Sequence, residues 1–79
     1  MELYEVVRFK IAVRKTLLRQ RSRSMSRGTL LNRFPAVSQE LFDTGINECI
    51  REGKITTKPG QRNSVILTWH EPFTVGVEQ

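Results

Sequence analysis

Ser26-Arg27-Gly28-Thr29-Leu30-Leu31-Asn32-Arg33-Phe34-Pro35-Ala36-Val37-Ser38 lies at the centre of the stretch that decides the fold, which runs from Met25 to Trp69. Ser26 to Phe34 reads as a short helix with Leu30, Leu31 and Phe34 toward the core, and Ser24 or Ser26 as its cap. Phe34-Pro35 ends it, because the residue before proline is pushed out of the helical region. Pro35 to Ser38 is a turn, and Ser38 is a strong N-cap for a second helix from Gln39 to Arg51. At ~100° per residue, Phe42, Ile46, Cys49, Ile50 and Gly53 gather on one side of that helix. Gly45 leaves room for another helix to come close, which offsets its ~1 kcal/mol helix cost. Glu52-Gly53-Lys54-Ile55 closes the helix. Residues 55–69 then alternate about Lys58-Pro59-Gly60-Gln61, which suits a type II turn. Val65 to Trp69 reads as a buried strand rich in β-formers.

Upstream, residues 2–19 predict a helix. Leu3, Val6, Phe9, Val13 and Leu17 form one apolar stripe, and Val7, Ile11 and Leu18 a second beside it. Residues 7–13 also alternate with period two, but the helical pattern is longer and holds no Gly or Pro. The two stripes exceed what a three-helix core needs. Either a second copy or the C-terminal tail is expected on the surplus, and the sequence leaves both open. Gln20 to Ser24 reads as a basic polar loop. Downstream of His70, Phe73, Val75 and Val77 suit an edge strand or a tail packed on the first helix. The reading is one domain, 1–79, with its core at 3–69 and a tail or edge strand at 70–79.

The chain has 79 residues, 38% hydrophobic and 27% charged, which suits a globular domain rather than a disordered one. At this size only roughly 60–65% of the unfolded surface is buried, so the core is thin. No apolar stretch approaches the ~20 residues of a membrane span. The acidic start Met1-Glu2-Leu3-Tyr4-Glu5 lacks a signal-peptide core. A single Cys49 fits a reducing compartment. A cytoplasmic protein is expected, nucleoid-associated if it binds DNA, or nuclear in a eukaryote. One Cys and one His make a zinc site from this chain alone an unsuitable reading, and no cofactor is expected. Enzyme motifs are absent: there is no G-x-x-x-x-G-K-[ST], G-x-G-x-x-G or H-E-x-x-H.

Charge is the functional signal. The net charge is +5, and from Val6 to Gln39 nine Lys or Arg occur with no acid. From Glu40 onward there are six acids and four bases. A positive half of this kind is the footprint of a phosphate-binding surface.

The residues Leu30-Leu31-x-x-Phe34, Val37-Ser38, Phe42-x-x-x-Ile46-x-x-x-Ile50-x-x-Gly53-Lys54-Ile55 and the Val65–Trp69 strand resemble those of winged helix-turn-helix proteins over about residues 3–69. The resemblance implies an α+β, mainly α fold: three helices and a C-terminal two- or three-stranded antiparallel β wing. It also implies a recognition helix, 38–51, with Ser38, Gln39, Glu40, Asp43, Thr44, Asn47 and Arg51 toward a DNA groove, and a wing, 55–69. Gln39 and Asn47 suit adenine edges, and Thr44 a thymine methyl. Glu40, Asp43 and Glu48 oppose phosphate on that same helix. Arg21, Arg23, Arg27, Arg33, Lys58, Gln61, Arg62 and Asn63 are the expected phosphate and wing contacts. The expected function is a small duplex-DNA-binding regulator or accessory factor of phage, plasmid or prokaryotic type. A homodimer through helix 2–19 is one expected partner. A protein-interaction module docking on an acidic protein is the alternative, with RNA binding through Arg19 to Arg27 a third reading.

Overall fold

The computed structural model describes residues 2–70. The predicted edge strand or tail at Phe73, Val75 and Val77 lies outside them. Helix α1 spans Leu3–Leu18, strand β1 Ser24–Ser26, helix α2 Arg27–Asn32, helix α3 Gln39–Arg51, strand β2 Ile55–Pro59 and strand β3 Val65–Trp69. Over the described residues the fold is α+β and mainly helical, with three α-helices and one three-stranded antiparallel sheet in the order β1-β3-β2.

Residues 7–13 are helical, so the 3.6-residue period prevails over the alternation. Val6, Phe9, Val13 and Leu17 of the first stripe are buried, whereas Leu3 at its start is exposed. In the second stripe Leu18 packs against the core, while Val7 and Ile11 stay about half exposed. On α3, Phe42, Ile46 and Cys49 are fully buried, but Ile50 and Gly53 lie outside the core.

Gly45 explains how α1 and α3 meet. A Cβ there would stand 2.3 Å from Cδ2 and 2.7 Å from Cε2 of Phe9, so the bare backbone accepts that edge of the ring directly. The Phe9 ring is then held edge-on by Phe34 at 5.2 Å and tilted against Phe42 at 5.7 Å. Both caps are formed as expected: Ser26 accepts from the Thr29 N–H and Ser38 from the Leu41 N–H. Gly53 has φ +80°. The Gly53 and Lys54 N–H groups donate back to Ile50 and Cys49, a Schellman closure that needs a left-handed residue.

Two local expectations are corrected. Ser24, read as the end of the loop, and Ser26, read as the start of the helix, form strand β1 with Met25, and β1 pairs with β3. Their alternation supports it, since Met25 is buried between two outward serines. The turn is not type II at Lys58–Gln61. Gly60 has φ −112°, Pro59 still pairs with Val65, and the reversal is made by Gln61–Asn63, with Arg62 and Asn63 left-handed. Pro59 fits a strand because β2 is a sheet edge, where its missing N–H leaves no gap in the ladder.

Candidate nucleic-acid interface

The sheet has two unlike faces. Met25, Leu67, Ile55 and Trp69 turn inward as core. By alternation Ser24, Thr68 and Thr56 form one row on the other face, and Ser26, Ile66 and Lys58 the next. The hydroxyls of Ser24 and Thr68 share a hydrogen bond of 2.7 Å. Lys58 therefore stands two strands from Ser26, the cap of α2, on a face lined with hydroxyls.

The outward strip of α3 carries Glu40, Thr44, Asn47 and Arg51, which follow at helical spacing opposite Phe42, Ile46 and Cys49. Glu40, Asn47 and Arg51 are exposed and Thr44 is half-buried. Ser38 and Gln39 begin the helix in solvent.

Arg27 is drawn to this helix. Its guanidinium forms an ion pair with Asp43 and lies 5.0 Å over the Phe42 ring. Gln39 donates to the same Asp43 oxygen at 3.1 Å. Arg27, Gln39 and Asp43 are thus one hydrogen-bonded group joining the start of α2 to α3, and the Asp43 charge is compensated inside the molecule.

A second group compensates the other end of α3. Lys10 Nζ reaches Glu48 at 3.1 Å and Glu52 at 2.8 Å, with Arg51 and Lys54 adding weaker pairs at 3.9 and 3.6 Å. The hydrogen bond from Lys10 holds the Glu52 carboxyl below its ordinary pKa, and the same bond raises that of Lys10. Cys49, beneath them, is buried, and desolvation pushes its thiol up, as for a packing residue rather than a nucleophile.

Of the three acids that oppose phosphate on α3, Asp43 and Glu48 are paired and Glu40 alone is not, among the described residues. The cations divide the other way. Arg19, Arg21, Arg23, Arg33, Lys58 and Arg62 are exposed, and none is in an ion pair among the described residues.

Backbone conformation singles out three of the predicted contact residues. Among the described residues, the non-glycine residues with positive φ are Arg23 at 57°, Arg62 at 56° and Asn63 at 63°. A left-handed residue with a Cβ is strained by roughly 1–2 kcal/mol, less for Asn. Arg23 is held there by the sheet, since its carbonyl accepts the Trp69 N–H at 2.9 Å. Arg62 sits in a loop closed by the Gly60 N–H on the Ser64 carbonyl at 2.8 Å and the Ser64 N–H on Gln61 at 3.0 Å. Glycine would fill either position without strain. Gln61, like Arg62 and Asn63, is exposed at this tip.

Sequence reasoning missed the ion pairs because their partners are far apart in the chain: Lys10 is 38 residues from Glu48 and Arg27 is 16 from Asp43. No protein-family model, curated protein or solved structure matches this chain.

Proposed function

We propose that this chain is a winged helix-turn-helix protein that binds duplex DNA, as a regulator or accessory factor, through its unpaired cations. The order α1-β1-α2-α3-β2-β3, with α2 and α3 joined by residues 33–38 and a β2–β3 hairpin beyond, supports that reading of the fold. The observation that carries the function is the sorting of charge. Asp43 and Glu48 on α3 are neutralised internally by Arg27 and Lys10, while Arg19, Arg21, Arg23, Arg33, Lys58 and Arg62 are left facing solvent. Such cations attract phosphate whatever the base sequence, and the outward α3 strip supplies base contacts. Thr44 and Asn47 are the groups on that strip suited to base edges, with Gln39 held on Asp43.

Arg27 has a different part in this account from Arg23. Held on Asp43 and Phe42, it sets α2 against α3 and screens an acid, which reduces the cost of bringing the helix to a phosphate backbone. Charge reversal tests the proposal. Arg23→Glu/Arg62→Glu should abolish binding to duplexes of any sequence, with the fold intact by circular dichroism. Unchanged affinity would refute phosphate contact by these residues.

One observation favours a protein-docking module instead: Glu40 is exposed and unpaired among the described residues at the start of α3, where it would face a phosphate. Asn47→Ala separates the readings. A changed sequence preference places α3 in a groove; no effect on any duplex removes α3 from the interface.

A further inference from the structure

Helix α1 carries an apolar row on its outer side. Leu3 is 73% exposed, Val7 45% and Ile11 49%, at four-residue steps, with Tyr4 beside them at 68%. The side of α1 that meets α3 is marked by Phe9 on Gly45 and by Lys10 on Glu48. At ~100° per residue Val7 stands about 160° from Phe9. The row therefore faces away from α3 and is a separate surface from the outward strip of that helix.

The row has a cationic border. Arg8 and Lys15 project beside Tyr4 and Ile11, on the edge farther from the core. Both are exposed, and neither is in an ion pair among the described residues. The Arg8 guanidinium lies 5.4 Å over the Tyr4 ring. Stacked there, it is held in place while the N–H groups at its edge remain available to a carboxylate. On the other edge the row opens into a groove of about 180 Å³ lined by Val7, Lys10, Ile11, Arg14, Lys54 and Trp69. Lys10 and Lys54 are already engaged by Glu48 and Glu52, so Arg8 and Lys15 supply the charge that an occupant meets. The single acid of α1, Glu5, projects to the other side, where it shares a hollow with Ser38 and Glu40 at the start of α3.

These features define the occupant. Apolar side chains have to meet Leu3, Val7 and Ile11, and acidic ones have to meet Arg8 and Lys15. A second copy fails the second condition. A two-fold contact brings the same patch against itself, so Arg8 and Lys15 would meet cations and no carboxylate. A duplex fails the first, since its outer surface is phosphate. A bilayer asks for an apolar face sunk ~5–10 Å below the headgroups, whereas Val7 and Ile11 are half-buried against the body of the protein. An acidic protein segment with apolar residues between its carboxylates meets both conditions.

We propose that the outer face of α1 docks an acidic, apolar-bearing segment of a partner protein. The contact is small, since Leu3 to Ile11 spans about 12 Å of helix, and belongs to the transient class. With DNA bound as proposed, one molecule holds a duplex by α3 and the wing and the partner by α1. The docking face itself does not depend on DNA binding.

The probe is a short fluorescein-labelled peptide in which pairs of Asp or Glu alternate with pairs of Leu or Phe, with a control in which Lys replaces every acid. The acidic peptide should bind saturably and the control should not. Shift changes in a ¹H–¹⁵N spectrum of the full chain should fall between Leu3 and Lys15. Arg8→Gln/Lys15→Gln and Val7→Ser/Ile11→Ser should each weaken the peptide by about fivefold or more and largely spare duplex binding. Arg23→Gln/Arg62→Gln should weaken the duplex and largely spare the peptide, so a failure at one site is read apart from a failure at the other. If Val7→Ser/Ile11→Ser unfolds the protein, Arg8→Gln/Lys15→Gln, at exposed positions, decides. Absence of binding, or peptide binding that ignores the α1 variants, would overturn the proposal. Three other occupants would overturn it as well. A mass that doubles in light scattering, with shift changes on α1, would give the face to a second copy. NOEs from Val7 and Ile11 methyls to residues 71–79 would give it to the chain itself. Binding to phosphatidylserine vesicles in preference to the peptide, lost in the same variants, would give it to a membrane.

Discussion

Replacing Arg23 and Arg62 by glycine should strengthen the fold and weaken DNA binding at once. Both residues are left-handed, with φ of 57° and 56°. Relief of the Cβ clash is worth roughly 1–2 kcal/mol at each position. Glycine returns about 0.5–1 kcal/mol of that through the greater freedom of the unfolded chain. The net is about 1–2 kcal/mol for the pair, or ~5–10 °C in Tm for a domain of this size. Binding moves the other way. A phosphate contact contributes about 0.9 to the slope of log affinity against log salt, which is about eightfold at 0.1 M. Losing two flattens the slope by about 1.8 and lowers affinity roughly sixtyfold. Thermal unfolding by circular dichroism and fluorescence anisotropy on a random duplex read the two effects separately. A double variant that is more stable and binds as tightly as the parent would refute the argument, because the strained arginines would then have no role at phosphate. A double variant that is less stable would refute the backbone reasoning itself.

Two helical glycines should respond with opposite sign in urea titrations. Gly45→Ala puts a methyl 2.3 Å from a Phe9 ring fixed by Phe34 and Phe42, and an overpacking cost of ~2–3 kcal/mol exceeds the ~1 kcal/mol propensity gain, so stability falls. Gly28→Ala meets nothing within 4 Å and should gain about 0.5 kcal/mol. Lys10→Met tests the ion-pair group by pH. The Glu52 pKa is lowered by folding, so its stabilisation is present above the unfolded carboxyl value near ~4.3 and disappears as pH falls through the folded one. The Lys10 pKa is raised, so its share is present below ~10.4 and fades above that. The parent should exceed Lys10→Met in stability from about pH 5 to 10 and converge with it near pH 3; a constant gap would show that charge pairing is not the cause. Cys49 should react with a thiol reagent only at the rate of unfolding, and rapid labelling of the native protein would contradict its burial.

Local chemistry was legible where one signal acted alone. Ser26 and Ser38 cap their helices and Gly53 stands in the segment that closes α3, each readable from neighbours within one turn, and Gly45 signalled a close helix approach without naming its partner Phe9. Competing local signals misled. Pro59-Gly60 is a strong turn dipeptide, yet the edge position of β2 lets proline continue the strand and pushes the reversal to Arg62 and Asn63. Ser24-Met25-Ser26 is too short for its alternation to stand out, and β3 supplies the pairing that makes it a strand. For the site, the basic span and the α3 strip were visible in order and spacing. Which charges cancel was not, because Lys10 with Glu48 and Arg27 with Asp43 become neighbours only after α1, α2 and α3 pack.

We propose that cations left without acid partners bind the DNA backbone. The most direct test is anisotropy binding of the full chain to a random duplex at several salt concentrations. The expected result is a log–log slope of about −3 or steeper, several phosphates neutralised at roughly 0.9 each. Negligible binding at low salt would contradict it and leave the acidic-protein partner as the reading to pursue.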